Sequence, residues 1–146
     1  MPGIAGKFGT FLILLAAMLL PAAANADRTS SADRSAMQAI VSGQIGAFEH
    51  DDGTTAYGFA SPAIHSLYPS ADQFMAMVKG GYPAIYRPRS VTFGEFADTD
   101  AGPVQKVYIT GADGDAWVAL YAFQRQPDGT WKINGVTILK DDSPSI

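Results

Sequence analysis

The chain has 146 residues, no cysteine, ten basic and fourteen acidic side chains and a formal net charge of −4. Lacking cysteine, it has no thiol catalysis, disulfide exchange or sulfur-ligated metal; lacking any basic run, it makes a poor partner for nucleic acid or an anionic lipid surface. The length supports one hydrophobic core and excludes two.

In chain order, Met1 to Ala26 reads as a secretory leader. Lys7 precedes an apolar run from Phe11 to Leu20, Pro21 breaks it, and Ala24 and Ala26 are the small residues that a signal peptidase reads. The run is shorter than the roughly 20 apolar residues that cross a bilayer. The expectation is export to the periplasm or the extracellular space, cleavage after Ala26 and no membrane span thereafter. Loss of Lys7 leaves one α+β domain over residues 27–146, its core about 31–139, with net charge −5.

Ser30 and Asp33 have the spacing of a capping box, and Met37, Ile40, Val41, Gln44, Ile45 and Phe48 recur at three and four. That predicts a long amphipathic helix ending near Glu49 to Asp52, with Gly53 reversing the chain. Gly43 and Gly46 inside it mark either close approach by another element or an exposed face that tolerates them. Thr54 to Ala60 predicts a short helical stretch with Tyr57 and Phe59. Ser61 and Pro62 then read as an N-cap and first helical residue, opening a turn or two through Ile64, Leu67 and Tyr68 that Pro69 stops. Ser70 and Gln73 form a second capping box, before a helix carrying Phe74, Met77 and Val78 that Gly80 and Gly81 terminate.

Tyr82 to Arg89 contains Pro83 and Pro88, each of which drives its predecessor into extended backbone, so the segment is expected to be a stiff non-helical connector. Ser90 to Phe96 predicts the first strand, Val91 and Phe93 sharing a face and Gly94 making a bulge that returns Phe96 inward. Asp98 to Gly102 reads as a loop. A three-strand meander follows, Val104–Thr110, Asp115–Arg125 and Thr130–Leu139, with turns at Asp113-Gly114, read as a positive-φ pair, and at Pro127-Asp128-Gly129. The middle strand is apolar on both faces, as a central strand is when both sides are covered. Gly135 reads as a second bulge that turns Val136 and Ile138 inward.

Helices followed by a curved four-stranded antiparallel sheet, closed by the Pro127-Asp-Gly-Thr-Trp-Lys-Ile133 strand, resemble the NTF2-like (cystatin-like) cone fold. More narrowly, Ala56-Tyr-Gly-Phe-Ala-Ser-Pro62, Phe74-Met-Ala-Met-Val78 and Tyr82-Pro-Ala-Ile-Tyr-Arg-Pro-Arg-Ser-Val-Thr-Phe-Gly94 resemble the exported bacterial family called domain of unknown function 4864. The resemblance implies a fold with a pocket at its open end and an address in the cell envelope. It implies no activity, since a fold alone never does.

Arg87 and Arg89, alternating with Pro88 in extended backbone, would project to one side beside Tyr82 and Tyr86. These four are the candidate binding residues. Two guanidinium forks could hold a carboxylate or phosphate, or they could pair with acidic side chains of the helices and pin the connector. His50, beside Asp51 and Asp52, and His65 could serve as general bases, but a histidine at a helix C-terminus is favoured there by the dipole alone. Asp98, Asp100 and Gly102 look like part of a calcium loop, yet the third oxygen ligand is missing and Ile109 stands at the twelfth position. No catalytic residue, cofactor or metal site is expected. Tyr57, Phe59, Phe74, Trp117, Tyr121, Phe123 and Trp131 read as core, some of them lining a pocket if the cone stays open.

Taken together, these features predict an exported module that binds a small molecule or an envelope protein without chemistry. The alternatives are an isomerase or dehydratase using a cavity Asp or His base and a Tyr, and a homodimer formed through the outer sheet face.

Overall fold

A computed structural model describes residues 29–143; the expected leader, Met1–Ala26, lies outside the described residues. Helix α1, Ser31–Glu49, buries Met37, Val41, Gln44, Ile45 and Phe48 of the stripe that the spacing of three and four predicts, together with Ala47, while Ile40 is only partly buried. Gly43 abuts the Phe59 ring, where an added Cβ would lie 2.8 Å from the ring carbon Cζ, whereas Gly46 faces open space.

The chain reverses after α1 at Asp51, not at Gly53. Asp51 adopts φ 53°, with Asp52 N–H donating to the Ala47 carbonyl at 2.8 Å and Asp51 N–H to that of Phe48 at 3.0 Å. This is a Schellman closure with aspartate where glycine is usual, at a conformational cost of roughly 1–2 kcal/mol. Gly53 instead begins α2, Gly53–Gly58, whose N-cap Asp52 accepts from Thr55 N at 3.2 Å and Thr55 Oγ1 at 2.7 Å.

Helix α3, Pro62–Leu67, is capped by Ser61, and α4, Ala71–Gly81, by Ser70, as predicted. The expected non-helical connector contains a helical turn, α5, Pro83–Tyr86. The proline rule restricts only the residues preceding the prolines, Tyr82 and Arg87, and both leave the helical region, at φ −135°, ψ 52° and φ −139°, ψ 68°. Pro83 itself takes the first helical position, where its missing N–H is no loss.

Strands β1, Ser90–Thr99, β2, Gly102–Thr110, β3, Ala116–Arg125, and β4, Trp131–Lys140, form an open antiparallel sheet in sequence order. Strand β1 runs past Phe96, and the expected loop from Asp98 to Gly102 contracts to a tight turn held by Thr99 Oγ1, which donates to the Gly102 carbonyl at 2.6 Å and accepts from Ala101 N at 3.2 Å. Both later hairpins use one loop design. Gly114 N–H donates to the Gly111 carbonyl and Gly129 N–H to that of Gln126, with only the glycines at positive φ, 90° and 88°. Asp113 is therefore not half of a positive-φ pair. Its carboxylate accepts from Asp115 N, as that of Asp128 does from Thr130 N, both at 3.0 Å, and this side-chain closure stabilises a type I turn with a glycine bulge.

The two sheet bulges lie where the glycines predict. Phe93 pairs with Val107 and Phe96 with Gln105, so Gly94 and Glu95 share Lys106 as partner and Phe96 returns inward. A Cβ at Gly94 would come within 2.5 Å of the Tyr108 ring. In β4, Ile133 pairs with Phe123 and Gly135 with Ala122, which makes Asn134 the extra residue. Bulges bend and twist the strand that carries them. They also keep Val107, Ile109, Ala119, Tyr121, Phe123 and Ile133 on the buried helix-facing side. Among the described residues no helix is long and apolar enough to cross a membrane.

Candidate functional site

A pocket of about 220 Å³ lies between the helices and the second bulge. Phe48 from α1, Ile64 from α3, Phe74 and Val78 from α4 and Val136 from β4 supply apolar wall, and Phe48 and Phe74 stack with ring centroids 6.3 Å apart. The bulge shapes the wall, because inserting Asn134 between Ile133 and Gly135 lets Ile133 and Val136 both face the helices. Ser61, fully buried, ties this corner together: it donates through Oγ to Asn134 Oδ1 at 2.7 Å, accepts from Ile64 N, and its own N–H donates to the Ile133 carbonyl at 2.9 Å. At the rim, α3 contributes no fully buried side chain and Leu67 is 73 % exposed.

Several polar side chains around the pocket have partners within the protein. Gln44 Nε2 donates to the Ala56 carbonyl at 3.1 Å, Tyr82 Oη to that of Val136 at 3.2 Å, and Tyr57 Oη to that of Tyr68 at 2.5 Å. The buried hydroxyl of Tyr121 has none. Tyr121 lines the pocket from the middle of β3, is 0 % exposed, and its hydroxyl is the only buried side-chain polar atom among the described residues without a hydrogen-bond partner. Burial pushes its phenol well above the ordinary value of 10.0, so it is a neutral hydroxyl able to donate one hydrogen bond and accept others.

The four candidate binding residues divide among three places. Tyr82 lines the pocket. Tyr86 and Arg87 turn to the end of α1, where Tyr86 Oη donates to Asp51 Oδ1, Arg87 Nη2 pairs with the same oxygen at 3.0 Å, and Arg87 Nη1 donates to the Phe48 carbonyl. The Arg87 guanidinium also lies 4.1 Å from the centroid of the Tyr86 ring. Arg89 reaches the β2–β3 turn and donates to the Ala112 carbonyl at 2.9 Å. The two arginines thus pin the segment to two different elements.

This cluster explains how aspartate is retained at a glycine position: the left-handed backbone directs Asp51 toward Tyr86 and Arg87. The Tyr86 hydroxyl first, and then Arg87, hold the Asp51 carboxyl below its ordinary value of 3.8. A carboxyl whose pKa falls on folding stabilises the fold above its unfolded value and loses that contribution as the pH drops through the folded value. Asp51→Asn, which tolerates the same backbone, is expected to lower the urea midpoint at neutral pH, with the gap closing in acid below 3.8. A gap that persists unchanged in acid would mean that the carboxylate charge contributes nothing.

Neither histidine lines the pocket. His50 Nδ1 lies 2.8 Å from the Gly46 carbonyl oxygen, in the helix-end role its position suggests. His65 Nε2 lies 2.8 Å from the Tyr57 carbonyl oxygen, and its ring stacks on that of Tyr57 at 3.8 Å. Among the described residues no three His, Asp or Glu side chains gather as a metal site would require.

The chain belongs to the family described as Domain of unknown function (DUF4864), whose model matches residues 30–146. No curated protein and no solved structure matches it.

Proposed function

We propose that this member of the family is an exported, non-catalytic binding module of NTF2-like type whose pocket holds a small molecule. The observation that carries the proposal is Tyr121, which lines an apolar pocket and whose buried hydroxyl has no partner. An unsatisfied buried hydroxyl costs about 1–3 kcal/mol, and phenylalanine would fill the same space without it. A ligand that accepts or donates a hydrogen bond there removes the penalty.

Binding is favoured over isomerase or dehydratase chemistry by the character of the lining, which includes no carboxylate, imidazole or amine. Proton transfer at neutral pH needs a group that titrates near it, and the phenol of Tyr121 is moved the other way. Tyr121→Phe is the direct test. In ligand-free protein it is expected to raise unfolding free energy by about 1 kcal/mol, measured by urea titration. A loss of similar size would show that the hydroxyl serves the fold and would remove the basis for the site.

Export is supported by the leader-like segment ending at Ala26. N-terminal sequencing of protein recovered from the producing cell envelope is expected to begin at Asp27; a chain beginning at Met1 would contradict export with cleavage.

A further inference from the structure

We infer that the ligand class of this pocket is an uncharged, flat ring compound carrying one hydrogen-bond-accepting oxygen, which Tyr121 selects by donating its hydroxyl proton to that oxygen. The inference rests on the pocket being a ligand site and adds what that site recognises.

Three features define the class. The first is charge. No Lys, Arg, His, Asp or Glu lines the pocket, and the nearby guanidinium of Arg87 is engaged by Asp51 and the Phe48 carbonyl. An ionised carboxylate or amine would lose its hydration there and gain no counter-charge. The second is size. An apolar cavity of about 150 Å³ accepts benzene, so one of about 220 Å³ suits a fused bicyclic of roughly ten non-hydrogen atoms. The third is shape and polarity. Phe48, Phe74, Tyr68 and Tyr82 present ring surface to the pocket, which favours an aromatic guest through offset or edge contacts. Tyr82 and Tyr57 already donate their hydroxyl protons to backbone carbonyls, and Tyr121 carries the buried phenol that has no partner. A guest with an acceptor oxygen satisfies it, and a pure hydrocarbon leaves it unpaired.

The test uses four probes of similar size, measured by isothermal titration calorimetry on wild-type protein and on Tyr121→Phe: indanone, its hydrocarbon indane, indane carboxylate and linear octanone. Wild type is expected to bind indanone about three- to tenfold more tightly than indane, the factor that one neutral hydrogen bond supplies. Tyr121→Phe is expected to erase that preference by weakening indanone while leaving indane as tight or tighter. Indane carboxylate is expected not to bind, and octanone to bind more weakly than indanone. Equal affinities for indanone and indane in wild type, or a preference that survives Tyr121→Phe, overturn selection by the hydroxyl while leaving the pocket a binding site. Tight carboxylate binding overturns the neutral class, and octanone binding above indanone overturns the ring class. If all four fail to bind, the binding-module proposal itself fails.

Discussion

Phe48→Ala is expected to destabilise the fold by about 3–5 kcal/mol, the largest effect of any substitution considered. Phe48 is 1 % exposed, packs on Phe74 and Tyr86 at centroid distances of 6.3 and 6.1 Å, and forms part of the pocket wall. Its backbone carbonyl, which accepts from Asp51 N–H and Arg87, is untouched by the substitution, so the measured loss belongs to the ring. A domain of this size has a total stability of about 5–15 kcal/mol, so the variant should unfold at far lower denaturant. The void left behind adjoins the pocket and should enlarge it. Equilibrium urea unfolding gives the first number; a loss below about 1 kcal/mol would mean that helix α1 does not seat this ring in the core.

Gln105→Leu comes next, with an expected loss of about 2–4 kcal/mol. Gln105 is fully buried in β2 opposite the first bulge, where pairing with β1 slips between Phe93 and Phe96. Its Nε2 donates to the Gly94 carbonyl at 3.0 Å and the Lys106 carbonyl at 2.8 Å, with a longer contact to that of Glu95 at 3.4 Å. Its Oε1 accepts from Gln38 Nε2 of α1 at 3.2 Å. One amide thus satisfies backbone groups around the bulge and ties sheet to helix. Leucine fills similar space but leaves those carbonyls unpaired in the interior. Gln105→Glu separates the hydrogen bonds from the packing: its carboxylate would face carbonyl oxygens, its folded pKa would rise, and its penalty should ease as the pH falls toward that value. Urea midpoints across acid pH read this directly, and a flat pH response would show that the side chain reaches water.

Much of this architecture follows from local rules. Capping residues Ser61 and Ser70 begin their helices, and Gly94 and Gly135 mark the bulges that reset strand parity. These features depend on a few neighbouring residues, so they are legible in the sequence. Helix α5 is not, because the proline restriction acts on Tyr82 and Arg87 and leaves a single turn between them free. The left-handed Asp51 is hidden for another reason: the residues that hold its carboxylate, Tyr86 and Arg87, lie 35 and 36 positions away. The same long-range contacts direct Arg87 to α1 while Arg89 goes to a hairpin turn, a divergence that alternation along an extended segment cannot show.

Tyr121 marks the limit of the site's legibility. Strand parity places it inward with Ala119 and Phe123, and a tyrosine at the centre of an apolar strand raises the question of where its hydroxyl goes. Whether that hydroxyl finds a partner depends on the packing of α1, α4 and the second bulge, which no spacing rule encodes. Tyr82, singled out for its neighbours in the basic segment, does reach the pocket wall, through its place at the end of α4.

Native mass spectrometry of the protein purified gently from the cells that produce it tests most directly whether the Tyr121 pocket is a ligand site. The expected result is a reproducible added mass, released on denaturation and diminished in Tyr121→Phe. A clean polypeptide mass from every gentle preparation, with no guest recovered in the denatured fraction, would contradict it.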